Sequence, residues 1–167
     1  MYMIKIYFFA IFIILELNIA CKQDDIEPVY TSVTVIDTLT TSNKFSSLKI
    51  NLSGLENTNG KICVALYNSS SSFNNPDQAY KELFIAVTSK SMIINIDNIP
   101  SGNYAFAIFH DENSNMELDL NVLSIPKEGF AFSNNAMGLF GPPSWEQSSF
   151  SLPENSVLTQ NIELKHF

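Results

Sequence analysis

Apolar residues alternate with polar ones along most of this chain after residue 47. Residues 48–52 read Leu-Lys-Ile-Asn-Leu, and residues 62–66 again place apolar side chains at alternate positions. Since successive side chains of a strand point to opposite faces of a sheet, this pattern predicts half-buried β-strands. After residue 21, no segment keeps apolar residues at helical spacing over three turns. The chain is therefore predicted to be all-β.

Turn residues divide the chain into about seven short strands, a number typical of a β-sandwich. The predicted strands are 48–52, 62–66, 82–87, 91–96, 104–109, 150–152 and 157–164. We predict a single antiparallel sandwich over residues 47–167, in which 82–87 and 91–96 form a hairpin and 99–102 form a turn. Residues 104–109 are nearly all apolar, which predicts a central strand covered on both faces. Single helical turns are expected at 76–80 and 143–147.

The first twenty residues have the composition of an export signal. Lys5 precedes ten consecutive apolar residues, about half of the roughly 20 that a membrane-spanning helix needs. Cys21 directly follows Ala20, and this arrangement resembles the lipobox of bacterial lipoproteins, in which the cysteine is acylated. We predict a signal peptide at 1–20, then a lipidated Cys21 and a polar tether over 21–46. The alternative is an ordinary cleaved signal in which the cysteine has no role.

Two short motifs after Cys21 suggest where the exported protein resides. Residues 22–25 resemble the export signal of surface-exposed lipoproteins of the Bacteroidetes, and residues 37–39 resemble an O-glycosylation signal of that phylum. These resemblances imply a protein held to the outer membrane by acyl chains such as palmitate, and exposed at the cell surface. The expected partners are the membrane, through the anchor, and an envelope protein or a glycan.

The charge of the chain excludes nucleic acid as a partner. All nine basic residues are lysines, against 17 acidic residues, for a formal net charge of −8. Nucleic-acid sites rely on arginine and on an excess of positive charge, and this chain has neither. It also has no basic patch for anionic lipids, so we expect membrane contact through the anchor alone.

Oxygen-bearing side chains follow the 104–109 strand at regular spacing. Relative positions 1, 3, 5 and 9 are held by Asp111, Asn113, Asn115 and Asp119. Such spacing can wrap Ca²⁺, but an EF-hand also needs Gly at position 6 and Glu at position 12, where Met116 and Val122 stand. Two interpretations remain: a looser Ca²⁺ loop, or an acidic loop whose side chains accept hydrogen bonds from their own backbone as Asx turns.

Residues 126–145 form a second long segment without a strand pattern. A connection of this length is typical of a binding element or of a packed lid. Its aromatic residues, Phe130, Phe132, Phe140 and Trp145, are expected either to stack on a ligand or to clamp the loop to the body. The candidate binding residues on the two loops are His110, Glu112, Glu128, Phe132, Asn134, Asn135 and Trp145.

Four blocks of the sequence resemble a bacterial family named domain of unknown function 2141. The blocks are 60–68, 102–105, 110–119 and 126–143, in the family's order and spacing. The family loop usually reads His-Asp-Glu-Asn-Gly-Asn-Gly, so Ser114 and Met116 replace its two glycines. The resemblance implies an exported single β domain of the transthyretin-like or immunoglobulin-like sandwich type, and it brings no established activity.

Catalytic groups are sparse in this sequence. His110, beside Asp111, is the one candidate base, and no Gly-x-Ser-x-Gly motif is present. Cys63 lacks the neighbouring ligands that a zinc site needs. We therefore predict non-catalytic binding or envelope assembly. The alternative is a small glycan-directed envelope hydrolase that uses carboxylates of the first loop, although we expect these to be solvated and ionised. They are Asp111, Glu112, Glu117, Asp119 and Glu128.

Overall fold

Two packed β-sheets make up the part of the protein that the computed structural model describes, residues 44–139 and 141–167. The eight strands are β1 (Phe45–Ser53), β2 (Lys61–Tyr67), β3 (Lys81–Ala86), β4 (Met92–Pro100), β5 (Gly102–Asp111), β6 (Phe130–Phe132), β7 (Phe150–Leu152) and β8 (Val157–Glu163). One short helix, α1 (Trp145–Ser148), and two 3₁₀ turns, Pro76–Gln78 and Ser133–Asn135, complete the elements. The all-β prediction is confirmed, and both expected helical turns are present.

The first sheet has three strands in the order β4-β1-β8, and the second has the order β3-β2-β5-β6. The short strand β7 pairs with the beginning of β5, on the edge that β6 uses further along. Neighbouring strands are antiparallel except β1 and β8, which are parallel. The prediction of a purely antiparallel sandwich is therefore wrong for this pair. Strand direction was missed because an alternating pattern looks the same whichever way the strand runs.

The core between the sheets is built by the alternating apolar positions that predicted the strands. In β1, the side chains of Leu48, Ile50 and Leu52 are almost fully buried, while their neighbours lie outside the core. Ile62 and Phe106 contribute from the second sheet. Because a one-residue slip would turn each apolar set to the wrong face, this alternation fixes the strand register.

The second sheet is also covered on its outer face, as predicted for residues 104–109. An aromatic cluster lies there, in which Phe73 packs edge-on against Tyr67, Phe132 and Trp145 at centroid distances of 5.5–6.2 Å. Cys63 is buried on this face and forms no disulfide. The aromatic contacts thus hold Phe132 and Trp145 against the sheet.

The predicted hairpin of 82–87 with 91–96 is wrong. Strand β3 pairs with β2 in the second sheet, whereas β4 pairs with β1 in the first, so residues 87–91 cross between the sheets. A connection of this length can close a hairpin or cross between layers, and its sequence does not separate the two. The predicted turn at 99–102 is also displaced, because β4 continues to Pro100. Proline is tolerated there because it is the last residue of an edge strand, where no amide hydrogen is needed for pairing.

Strand β6 was missed because three residues are too few to show a period. Its backbone pairs with β5 on one side, and Phe130 exchanges two hydrogen bonds with Lys165 on the other. The segment that follows β8 in the first sheet therefore reaches β6 of the second sheet and closes that corner of the sandwich. β6 also divides the loop predicted over 126–145 into two parts.

Several predictions fall outside the described residues. These are the signal peptide, Cys21, the tether up to residue 43, the export motif at 22–25, the O-glycosylation motif at 37–39, and Phe140. Strand β1 begins at Phe45, two residues before the predicted boundary of the domain. Among the described residues, no helix is long and apolar enough to cross a membrane.

Candidate binding site

Two buried carboxylates organise the loop that joins β5 to β6. The oxygens of Asp111 accept hydrogen bonds from the backbone amides of Asn115 and Met116, both at 3.0 Å. The oxygens of Glu128 accept from the amides of Glu112 and Asp119 at 2.9 and 3.1 Å. Asp111 is fully buried and Glu128 nearly so, so the expectation that both are solvated is wrong. The amides of the loop take the place of water around these charges.

The other side chains proposed as Ca²⁺ ligands also bond within the loop. Asn113 and Asn115 accept from backbone amides two residues ahead at 2.9 Å, as in Asx turns. The side-chain amide of Asn113 donates to Asp119 at 2.7 Å. The loop thus brings the four candidate ligands together, with their oxygens accepting hydrogen bonds. In the described part of the chain, no group of three or more His, Cys, Asp or Glu could hold a metal ion. Calcium binding stays a prediction.

His110 is fully buried at the end of β5, on the side of the core. Its Nε2 donates to the carbonyl oxygen of Asn59 at 2.7 Å, which leaves Nδ1 without a hydrogen-bond partner among the described residues. Glu112 Oε1 lies 3.8 Å from Nδ1. The adjacent Gly60 has a φ of 63°, and a Cβ there would overlap the carbonyl of Asp111. His110 therefore joins two loops by bonding to backbone.

The candidate residues of the second loop hold the loop in place. The side chain of Asn135 binds both a carbonyl and an amide of β8, at Asn161 and Glu163, in the manner of a strand partner. Asn134 donates to carbonyls that end α1. Trp145 packs on Phe73, so the clamp interpretation holds for this residue. Phe132 belongs to the same cluster and also borders the groove described next.

An apolar groove of about 540 Å³ lies over β6, between the two loops. Phe130, Phe132 and Phe167 are among its aromatic lining residues. The first loop contributes Leu118, Leu120, Ser124, Ile125 and Pro126, and the second contributes Met137, Gly138, Leu139, Gly141, Pro142 and Pro143. A concave site of this size, lined by apolar side chains, is typical of ligand and partner binding. The groove collects residues from the first loop, β6, the second loop and the C-terminal Phe167, which is why only Phe130 and Phe132 of its lining were singled out from the sequence.

One wall of the groove is a small hairpin over residues 119–127. Leu120 and Pro126 form a β-bridge, and the side chain of Asn121 accepts from two amides of the tip, which orders the turn. Val122 is fully exposed at this tip, and Leu123 is 74% exposed. On the opposite wall Leu139 is 89% exposed. Such a cluster of exposed aliphatic side chains is unusual for a protein without an apolar partner.

Acidic residues lie on the loop that forms one wall of the groove. Residues 110–129 contain five acidic side chains and one basic side chain, Lys127. In the part of the chain that the structure describes, none of Asp111, Glu117, Asp119 and Glu128 lies within ion-pair distance of a lysine. Of these four residues, Asp111 and Glu128 are buried, Asp119 is partly exposed and Glu117 is exposed to solvent.

The fold and the groove together define a two-sheet β domain that carries its candidate site on loops at one edge. The chain belongs to the bacterial family of domain of unknown function 2141, described as uncharacterized proteins conserved in bacteria, whose model matches residues 50–160. The predicted family resemblance is therefore confirmed. No curated protein and no solved structure matches the chain.

Proposed function

We propose that this protein is an exported lipoprotein whose sandwich, of the transthyretin-like type, binds a ligand or an envelope partner without catalysis. The groove over β6 is the observation that carries this proposal, because it exposes aliphatic side chains on both walls of a concave site. The anchor predicted at Cys21 would keep this site at the outer membrane.

The position of the groove suits an anchored receptor or assembly factor. The described chain enters at Phe45, which pairs with Pro100, next to the beginning of β5. The hairpin 119–127 follows the opposite end of β5, roughly 30 Å away at the usual rise of a strand. The segment that carries the predicted anchor therefore enters the sandwich at the end opposite to this hairpin.

The hydrolase alternative has no support in this geometry. A general acid and a general base must reach substrate, yet Asp111 and Glu128 are buried and each accepts two backbone hydrogen bonds. His110 is also buried and bonded to backbone. Of the remaining carboxylates near this loop, Glu112 accepts a hydrogen bond from the side chain of Asn57 and Asp119 accepts one from the side chain of Asn113.

The groove is tested by binding of Nile red, an uncharged apolar dye, to the full chain carrying Cys21→Ser, which removes the acylation site. We expect the dye's fluorescence to rise on binding, and Leu120→Ser and Leu139→Ser to lower the affinity about tenfold each, as expected for lost aliphatic contact. The matched control is Val157→Ser, because Val157 is an exposed aliphatic residue in β8, outside the groove lining. Equal binding by all four proteins would overturn the proposal.

A further inference from the structure

The interior of the groove accepts only apolar groups. Ser124 has the one polar side chain among the residues that line it, and none of those residues is charged. A charged group buried there would lose its hydration without gaining a partner. The part of a ligand that enters the groove is therefore uncharged and apolar.

The acidic residues beside the groove favour a positively charged ligand. Glu117 and Asp119 alternate with Leu118 and Leu120, so acidic and groove-lining residues share one short segment. No described lysine lies within ion-pair distance of the buried carboxylates of Asp111 and Glu128, which accept hydrogen bonds from loop amides instead. Complementary charge beside an apolar contact raises both the association rate and the specificity of a partner.

From these two features we propose that the groove docks a segment of another protein in which apolar side chains are flanked by Lys or Arg. This inference rests on the binding function proposed above and names the class of partner. The apolar side chains fill the space over Phe130 and Phe132, and the basic flanks lie beside Glu117 and Asp119, where the first loop enters the hairpin. Val122 and Leu139, exposed on the two walls, are then covered by the partner segment.

Charge also favours this partner over two other possible occupants of the groove, a second copy of the chain and an anionic bilayer. A second copy of the chain is itself acidic, with a formal net charge of −8. The acidic residues beside the grooves of two copies would therefore repel each other. An anionic bilayer would be repelled for the same reason. A concave groove also fits a protruding peptide segment better than the flat surface of a bilayer.

Three labelled peptides with matched lengths test the inference. The first has a core of leucine and phenylalanine flanked by two lysines on each side. The second replaces the lysines by glutamates, and the third keeps the lysines but has a serine core. Fluorescence anisotropy is measured on the full chain with Cys21→Ser, at low salt and with a chelator present.

We expect the Lys-flanked apolar peptide to bind at least about tenfold more tightly than the Glu-flanked one, and the serine-core peptide to bind least. Glu117→Gln should weaken binding of the first peptide about two- to fivefold and leave Nile red binding unchanged, because an exposed charge contributes modestly. Added salt should reduce the difference between the first two peptides.

Three results would overturn the inference, and each is distinct from a failure of the proposed function. One is Nile red binding that depends on Leu120 and Leu139 while the Lys-flanked and Glu-flanked peptides bind equally. Another is capture by phosphatidylcholine vesicles that exceeds capture by the peptides. The third is a dimer in size-exclusion chromatography that Leu139→Ser dissociates. Absence of Leu120-dependent dye binding would instead remove the proposed function itself.

Discussion

Ser114 and Met116 occupy positions whose backbone suits glycine. Their φ angles are 61° and 69°, in the left-handed region where a Cβ is unfavourable. These are the two positions at which the family loop usually carries glycine. The chain keeps the loop conformation despite both substitutions, because the carboxylate of Asp111 holds the amides of Asn115 and Met116.

Restoring the glycines should therefore stabilise the protein. We expect Ser114→Gly and Met116→Gly each to raise the free energy of unfolding by about 0.5–1 kcal/mol, measured by urea denaturation. The control is Val122→Gly, an exposed position of the same loop whose φ is not positive, where glycine should destabilise. A loss of stability in both family-like variants would contradict the strain argument.

Cys63 gives the folded state a pH dependence. Burial raises the pKa of its thiol to about 12, and the negative charge of Asp111 adds to the shift. While this thiol is protonated in both the folded and the unfolded chain, its raised pKa does not change the free energy of unfolding. Stability should therefore be unaffected by this group below about pH 8.5, and should fall as pH rises toward 12.

The slope of this loss is at most about 1.4 kcal/mol per pH unit for one group. Tyr67 and Tyr104, whose pKa values burial also raises, act in the same direction at higher pH. Urea denaturation between pH 8 and 10 should show the decline, and Cys63→Ala should remove most of it. Identical pH profiles for the two proteins would exclude the thiol as the cause.

Among the elements, seven of the eight strands were predicted, whereas β6 and the pairing of the strands were not. The alternation of Leu48, Ile50 and Leu52 fixes which face of β1 is buried, because a period of two places all three side chains on the same face of the strand. The pairing of a strand depends on which sheet edge it meets in space, and its own residues do not encode that edge. The sequence therefore did not predict that the chain changes sheets between β3 and β4, or that β8 runs parallel to β1. The acidic loop was located from its spacing, but the burial of Asp111 and Glu128 was not foreseen, because it depends on how the loop folds back to bring its own amides to both carboxylates.

The two buried carboxylates should control the order of the 112–129 loop. Asp111→Asn and Glu128→Gln each replace one acceptor oxygen by a donor that faces a backbone amide, which should cost about 1–3 kcal/mol. Hydrogen exchange should accelerate at the amides of Asn115 and Met116 in the first variant. The control is Glu117→Gln, an exposed residue, which should change neither stability nor exchange. Unchanged exchange in Asp111→Asn would contradict the proposed role.

The calcium prediction belongs to the same loop. A bound Ca²⁺ stabilises only the folded state, so it should raise the unfolding temperature in a concentration-dependent way. Thermal melts with calcium and with chelator decide the point, and Asp119→Asn serves as the ligand variant. Melts that coincide would mean that hydrogen bonds alone hold the loop.

For the whole molecule, the predicted anchor and the groove belong together. If Cys21 is acylated, cells given a labelled fatty acid should incorporate it into this protein, and Cys21→Ser should abolish the label while Cys63→Ser should not. The second variant is a fair control because Cys63 is buried in a strand. Labelling that survives Cys21→Ser would place the modification elsewhere or refute the anchor.

The groove is the part of the molecule on which the functional account depends. Nuclear magnetic resonance of methyl groups, recorded while 1-octanol is added to the full chain with Cys21→Ser, locates an apolar ligand without relying on charge. The account predicts saturable shifts at Leu118, Leu120 and Leu139, with none at the core residues Ile50 and Val64. Shifts spread evenly over the surface, or absent from these three leucines, would contradict it.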